Sequence, residues 1–150
     1  PPRRSTSSRR PERGVAEAFT WSTRVRYAEC DMQGHVFNAH YLTWADTAHT
    51  EMMRAAVGPH PELVASGVDF VVAEARVRYR AAAGYDDEIA FDVAVAAVGE
   101  TSMTTAMTVR RGADTIAEIE VRHVCVDAET FRKRPWPDHV RAGVARFAAA

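Results

Sequence analysis

Residues 25–54 read VRYAECDMQGHVFNAHYLTWADTAHTEMMR, and the period of the apolar residues changes within this segment. Its apolar residues first alternate with polar ones, which is the period of a half-buried β-strand. They then recur every three or four residues, which is the period of an amphipathic α-helix. Between the two periods lies a short polar loop that contains Asp31 and Gly34. The stretch therefore predicts a strand, a loop that carries a carboxylate, and a long helix.

The predicted helix begins at Ala39, with Asn38 as its N-cap, and ends before Gly58 and Pro59. Backbone N–H groups at a helix N-terminus lack intrahelical acceptors, so they favour negative charge that develops nearby. A carboxylate beside such a helix end is a workable arrangement for acyl transfer, with Asp31 as base or nucleophile. The alternative is that Asp31 is an ordinary loop residue closing an Asx turn.

The rest of the chain alternates with a period of two in four further segments, joined mostly by short turns. This predicts an α+β fold, a curved antiparallel sheet of about five strands with the long helix on one face. Apolar residues past Pro137 recur at helical spacing and predict a short closing helix. In the second strand, the residues predicted to share the apolar face are Val71, Ala73, Ala75, Val77 and Tyr79.

The composition is that of one ordinary globular domain, with 150 residues, 47% hydrophobic and 26% charged. No apolar run approaches the ~18 residues that span a bilayer, and no apolar segment begins the chain, so we expect a cytoplasmic protein without membrane association. The two cysteines, Cys30 and Cys125, lack the spacing of a disulfide scaffold or a metal site, and reduced thiols are expected.

Positive charge is concentrated at the start of the chain. Residues 1–13 hold five arginines and one glutamate, which leaves 14 basic and 19 acidic residues in the remainder. We predict a disordered basic tail over residues 1–18 and a single domain over residues 19–150, because the tail lacks apolar periodicity. The tail could be a basic arm for an anionic partner or a solvated leader. Nucleic-acid binding is disfavoured because the domain itself is acidic.

The other reactive side chains near Asp31 fit other chemistries less well. His35 and His40 lie five residues apart without an HExxH pattern, so no metal and no other cofactor is expected, and His35 should shape the loop. A neighbouring carboxylate disfavours the thiolate of Cys30, which is expected to be a small buried residue. The GxSxG, GxGxxG and P-loop patterns do not occur. His123 is expected to be a core or interface histidine with its hydrogen bonds satisfied, rather than a catalyst.

Residues 27–41, YAECDMQGHVFNAHY, resemble the signature of hot-dog-fold acyl-CoA thioesterases of the 4-hydroxybenzoyl-CoA thioesterase type. The specific part is the pattern Asp-x-x-Gly-x-Val-x-Asn-x-x-Tyr, and a looser resemblance extends over residues 19–147. The resemblance implies a curved sheet wrapped around the long helix, hydrolysis of an acyl thioester, and active sites at the interface of two protomers. It also implies self-association as a homodimer or homotetramer.

Carried over by position, the resemblance implies that Asp31 is the catalytic carboxylate, acting as nucleophile or general base. It implies that Asn38, Gly34, His35 and Tyr41 polarise the carbonyl oxygen or contact the substrate around the helix start. Neither the resemblance nor the spacing chooses between direct attack by the carboxylate and activation of a water molecule.

The resemblance also concerns the carrier of the acyl group. Arg132 and Arg134 fall where some relatives hold the phosphates of coenzyme A. The turn at residues 98–101, VGET, carries no lysine or arginine where some relatives have one. Both coenzyme A and an acyl-carrier protein are therefore open as carriers. The competing functions are a non-catalytic acyl-thioester-binding protein and a hot-dog dehydratase that acts on hydroxyacyl thioesters.

Overall fold

A computed structural model describes residues 16–150, so the predicted tail over residues 1–18 lies almost entirely outside the described residues and stays a prediction. A short 3-10 helix, Tyr27–Glu29, follows the first strand. In chain order, the strands and α-helices are β1 Phe19–Arg24, α1 His40–Val57, α2 His60–Ala65, β2 Val68–Tyr79, β3 Glu88–Val98, β4 Ser102–Arg111, β5 Asp114–Asp127 and α3 Asp138–Ala145.

The five strands form one antiparallel sheet in the order β1-β3-β4-β5-β2. The predicted α+β architecture, five strands with one long helix, is confirmed. The connection through α1 and α2 carries the chain across the sheet, so β2 lies at the edge opposite β1 and pairs only with β5 among the described strands. No helix within residues 16–150 has the length and apolar character needed to cross a lipid bilayer.

The hydrophobic core lies between α1 and the face of the sheet that the helix covers. The helix contributes one stripe of buried residues at three- and four-residue spacing, as its sequence predicts. The predicted closing helix is also confirmed, as α3, which packs against the end of α1. At the contact, a Cβ on Gly143 would overlap the carbonyl oxygen of Ala56 and lie 2.8 Å from Cγ1 of Val57, so α3 can approach this closely only with glycine there.

Two predicted strand features are wrong. The alternating residues at the start of the 25–54 stretch do not belong to a strand: the first strand ends at Arg24, and the chain then turns into the 3-10 helix that buries Glu29. In β2, a bulge interrupts the register: Val72 pairs with His123, whereas Ala75 pairs with Val121. The extra residue puts Val72 and Ala75 on the same face of the sheet, so the predicted apolar row does not run unbroken from Val71.

Candidate active site

The Asp31 loop is a compact turn between the 3-10 helix and α1. The backbone N–H of Asp31 donates to the carbonyl oxygen of His35 at 2.8 Å, and the N–H of Gly34 donates to the carbonyl oxygen of Asp31 at 2.9 Å. Gly34 has φ +76°, a left-handed conformation that side chains with a Cβ rarely adopt. The turn therefore depends on glycine at this position, and it holds Asp31 at the mouth of the loop.

The Asx turn that the sequence offers as an alternative for Asp31 is present. Oδ1 of Asp31 accepts a hydrogen bond of 2.9 Å from the backbone N–H of Gln33. A carboxylate has two oxygens and about four lone-pair directions, so this bond leaves most of its acceptor capacity unused. The turn therefore orients the half-buried carboxylate without occupying it, and the structural and chemical interpretations are compatible.

Four of the predicted site residues line a common cavity of about 330 Å³ at the start of α1. They are Asp31, His35, Asn38 and Tyr41; Gly34 shapes the loop beside them. The opposite wall is made by the end of β2 and the residues that follow it, among them Tyr79 and Arg80. This wall could not be predicted from the sequence, because the crossing of the sheet that brings β2 to the helix start leaves no pattern in the residues.

The start of α1 differs from the prediction. Ala39, not Asn38, is at the N-cap position, and no side chain caps the helix. The N–H groups of residues 40–42 donate to the carbonyl oxygens of residues 37–39, so the first turn is tight and satisfies its own amides. Within residues 16–150, the N–H groups of Asn38 and Ala39 have no acceptor. Both residues are exposed and Asn38 also lines the cavity, so unpaired backbone donors at this helix end lie just before the first helical turn rather than in it.

Two tyrosines hold the helix start against β2. The hydroxyl of Tyr79 donates to the carbonyl oxygen of Asn38 at 2.9 Å. The rings of Tyr79 and Tyr41 meet edge to face, 5.3 Å apart between centroids. Burial is the main cause that raises the pKa of both phenols, so both are neutral at pH 7. Tyr41, 2% exposed, is a wall of the cavity rather than a free hydroxyl.

A buried carboxylate two residues before Asp31 was also not predicted from the sequence. Glu29 is 4% exposed and accepts hydrogen bonds from the backbone N–H of Arg26 at 2.8 Å and from the indole N–H of Trp44 at 3.0 Å. Desolvation raises the pKa of Glu29, but the hydrogen bonds and charge of Arg26 together with the Trp44 bond outweigh it and lower the pKa overall. Glu29 therefore ties the Asp31 loop to α1 as a buried anion.

Glu29→Gln is expected to lower the free energy of unfolding by about 2 kcal/mol. The amide has one acceptor oxygen where the carboxylate has two, so either Arg26 N–H or Trp44 N–H faces an NH₂ group and stays unpaired. Urea denaturation at fixed protein concentration measures the change. The matched control is Glu88→Gln on β3, an exposed glutamate that pairs with Arg24 and should change stability by under about 0.5 kcal/mol. Equal losses in both variants would contradict the assignment.

The structure does not bring Arg132 and Arg134 to the Asp31 cavity of the same protomer. Nη1 of Arg134 donates to the carbonyl oxygen of Gly67, just before β2 begins, whereas Tyr79 at the other end of β2 lines the cavity. Eleven residue steps along a strand span about 36 Å. A phosphate held by these arginines within one protomer would therefore lie at the far end of β2.

The remaining reactive side chains have structural surroundings. Cys30 and Cys125 are both free thiols; burial raises the pKa of Cys125 and so disfavours its thiolate. Nowhere in residues 16–150 do three or more histidine, cysteine, aspartate or glutamate side chains come together as a metal site would require. His123 is 2% exposed in the core, as the sequence predicts. The prediction that its hydrogen bonds are satisfied is wrong, because its buried Nδ1 has no partner in residues 16–150.

A five-stranded antiparallel sheet around one long helix, with a carboxylate loop at the helix start, is the architecture of the hot-dog thioesterases. The chain belongs to this class: the family model described as the thioesterase-like superfamily matches residues 25–144. Among curated relatives, the acyl-CoA thioester hydrolase YbgC of Escherichia coli O6:H1 is 32% identical over 125 residues, covering 83% of this chain and 93% of the relative. The acyl-CoA thioesterase YbgC of Haemophilus influenzae is 26% identical over 125 residues, covering 83% and 92%.

Solved structures support the same fold. A 1,4-dihydroxy-2-naphthoyl-CoA thioesterase from Synechocystis superposes with a TM-score of 0.78 at 16% identity, covering 85% of this chain and 96% of that chain. At that identity the likeness supports the fold alone. The hot-dog fold and the thioesterase family that the sequence predicts are both confirmed.

Proposed function

We propose that the protein hydrolyses acyl-CoA thioesters to a free acid and coenzyme A, with Asp31 as its catalytic carboxylate. The observation that carries this proposal is the shared cavity: it is lined both by Asp31 and by Asn38, whose backbone N–H has no acceptor in residues 16–150. The 32% identity to an acyl-CoA thioester hydrolase over most of both chains supports the choice of reaction. Fold alone would not identify the chemistry.

In the proposed reaction, the thioester carbonyl oxygen lies at the N–H groups of Asn38 and Ala39, with the positive end of the α1 dipole behind them. Negative charge grows on that oxygen as the carbonyl carbon becomes tetrahedral, and each well-placed donor typically lowers the barrier by ~3 kcal/mol. The carboxylate of Asp31 either takes a proton from the attacking water or attacks the carbon itself. The second route expels the thiolate and leaves a mixed anhydride, which water then hydrolyses.

The proposed functional unit is a homodimer that pairs β2 with β2 of a second copy. β2 is a twelve-residue strand with one edge unpaired among the described residues, and a two-fold axis there would align the two strands antiparallel. Such pairing would carry the partner's Arg132 and Arg134 from the Gly67 end of its β2 towards the Asp31 cavity. In that arrangement they could hold phosphates of coenzyme A. The homotetramer and the cytoplasmic location stay predictions.

The test is release of free thiol from a panel of acyl-CoA and acyl-carrier-protein thioesters by the purified protein. We expect turnover of at least one acyl-CoA, with free acid and thiol formed in equal amounts. Tight binding without turnover across the panel would favour a non-catalytic acyl-thioester-binding protein. Loss of water from a hydroxyacyl thioester without release of thiol would favour the dehydratase. Turnover of carrier-protein thioesters alone would show that the acyl group of the substrate is carried by an acyl-carrier protein and not by coenzyme A.

A further inference from the structure

Two buried histidines stack face to face between α1 and the sheet. The rings of His49, on α1, and His123, on β5, lie 3.9 Å apart between centroids with 15° between their planes. Nδ1 of His49 lies 3.2 Å from the hydroxyl oxygen of Thr105. Nε2 of His49 and Nδ1 of His123 are fully buried and have no hydrogen-bond partner in residues 16–150. A buried polar atom left unpaired is costly, so this pair needs an explanation.

A third nitrogen of the same kind lies close by. Phe70, on β2, packs edge to face on His49 and His123 at 5.5 and 5.2 Å, and its ring lies 6.4 Å from that of Trp136. The indole nitrogen of Trp136 is also buried and without a partner in the described part of the chain. Within residues 16–150, the buried side-chain nitrogens without a hydrogen-bond partner are these three, and the rings that carry them all lie around Phe70.

His123 also lines a cavity of about 410 Å³ between α1 and the β2–β5 pair. Of its two ring nitrogens only Nδ1 is fully buried, and Nε2 has no hydrogen-bond partner in residues 16–150, so Nε2 is the nitrogen open to this cavity. The volume is within the range of small-molecule sites. The apolar walls come from both α1 and the sheet: Leu42, Ala45, Val72, Ala75 and Val121.

This cavity and the Asp31 cavity follow one another along α1 and β2, and no residue lines both. Tyr41 lines the Asp31 cavity, and the next residue, Leu42, lines the His123 cavity. On β2, Tyr79 lines the first and Ala75 the second, a step of four residues or about 13 Å. An acyl group whose thioester carbon lies at Asp31 could therefore extend along α1 and β2 to the imidazole of His123.

We propose that the His123 cavity receives the acyl group, and that His123 selects acyl groups carrying an uncharged hydroxyl or carbonyl oxygen remote from the thioester. This inference rests on the proposed function and names its substrate class. A ligand hydroxyl can pair with Nε2 of His123 in either tautomer of the neutral ring, and a ligand carbonyl can accept from Nε2–H. An unbranched alkyl chain would leave that nitrogen unpaired.

The charges around the cavity favour an uncharged partner. Burial lowers the pKa of His123 to about 4 and that of His49 well below its ordinary value, so the stacked pair is neutral at pH 7. Asp46, on α1, also lines the cavity, and its carboxylate would repel an acyl group that ends in a second carboxylate. A polar but uncharged acyl substituent fits both features.

The test compares octanoyl-CoA with a series of hydroxyoctanoyl-CoA substrates whose hydroxyl moves from carbon 4 to carbon 8. At one or more positions the wild-type kcat/KM should exceed that of octanoyl-CoA by about tenfold, the worth of one hydrogen bond in a site shielded from water. His123→Leu should abolish the preference, and His123→Gln should keep part of it. His49→Gln is the matched control, because it alters the stacked partner without touching a cavity wall, and it should keep the preference.

Binding of the corresponding non-hydrolysable thioether analogues, measured by calorimetry, separates this inference from the proposed function. The wild-type protein could bind hydroxylated analogues more tightly, lose this preference in His123→Leu, and still hydrolyse no thioester. That result would support the acyl site at His123 and count against the proposed thioesterase activity. Hydrolysis with no preference at any position, or a preference unchanged in His123→Leu and His123→Gln, would overturn the inference. Circular dichroism checks that each variant is folded.

Discussion

Asp31→Asn is expected to lower kcat for thioester hydrolysis by about a thousandfold or more, with KM changed by less than about threefold. A positioned general base typically contributes 10²–10⁴ to the rate, and an amide can neither take the proton nor attack the carbonyl. The amide oxygen can still accept the Gln33 N–H that shapes the loop, so the fold of the loop should survive. Steady-state kinetics with a thiol-trapping reagent measure both constants.

A second Asx turn provides the matched control. Oδ1 of Asp127 accepts the N–H groups of Glu129 and Thr130 at 2.9 Å each, at the end of β5 that pairs with the start of β2. Asp127→Asn makes the same chemical change in the same kind of turn. Because the backbone N–H of Asp127 donates to Arg132, one of the arginines proposed to hold coenzyme A in the partner's site, an effect of this variant should fall on KM, and kcat should stay within about twofold. Wild-type kcat in Asp31→Asn would show that Asp31 is not the catalytic carboxylate. Equal losses of kcat in both variants would show that the loss follows from removing a negative charge anywhere and not from the position of Asp31.

The stability of the protein is expected to fall steeply between pH 7 and pH 5 because of the stacked histidines. The unfolded chain binds a proton on each imidazole near pH 6.5, whereas burial lowers the pKa of His123 to about 4 in the folded state and that of His49 well below 6.5. In this window the unfolded state holds more protons, so the free energy of unfolding decreases as the pH falls. His123 alone should account for about 2 kcal/mol, and His49 adds in the same direction.

Urea denaturation at a series of pH values and one protomer concentration measures this slope. His123→Leu should reduce the change in the free energy of unfolding between pH 7 and pH 5 by the contribution of this one histidine, about 2 kcal/mol. His139→Gln removes an exposed imidazole from α3 and should leave the slope at its wild-type value. A wild-type slope retained in His123→Leu would mean that this ring already carries a proton or a buried partner in the folded state, and it would weaken the case for a neutral acyl-recognition site.

Local sequence patterns predicted the elements of the fold well. The two-residue period located all five strands, and Gly58 and Pro59 marked the end of α1 correctly, because these signals depend on neighbouring residues. The N-cap prediction failed at Asn38. Its carbonyl oxygen, not its side chain, is the group in use, since it accepts from Tyr41 N–H and from the hydroxyl of Tyr79, which is distant in sequence.

The candidate active site was only partly predictable, because some of its contacts join residues that are distant in the sequence. The residues of the Asp31 loop follow one another in the chain, so a sequence motif can contain them all. In the sequence, Glu29 has the features of an ordinary polar residue at the end of a strand. Its buried role depends on the hydrogen bond from the indole N–H of Trp44, fifteen residues away, which only the fold brings close. His49 and His123 are 74 positions apart, and only the packing of α1 on β5 makes them a stacked pair. Contacts between distant segments carry this part of the chemistry.

The bulge makes β2 unequally tolerant of changes in its length. Ala73 is the extra residue, because Val72, Glu74 and Ala75 pair with three consecutive residues of β5, so its deletion would leave every other side chain on its present face. A deletion between Ala75 and Tyr79 would instead shift the register by one and present the charged side chain of Arg78 to the helix. Single-residue deletions in homologues should therefore accumulate at Ala73 and be purged from the rest of the strand.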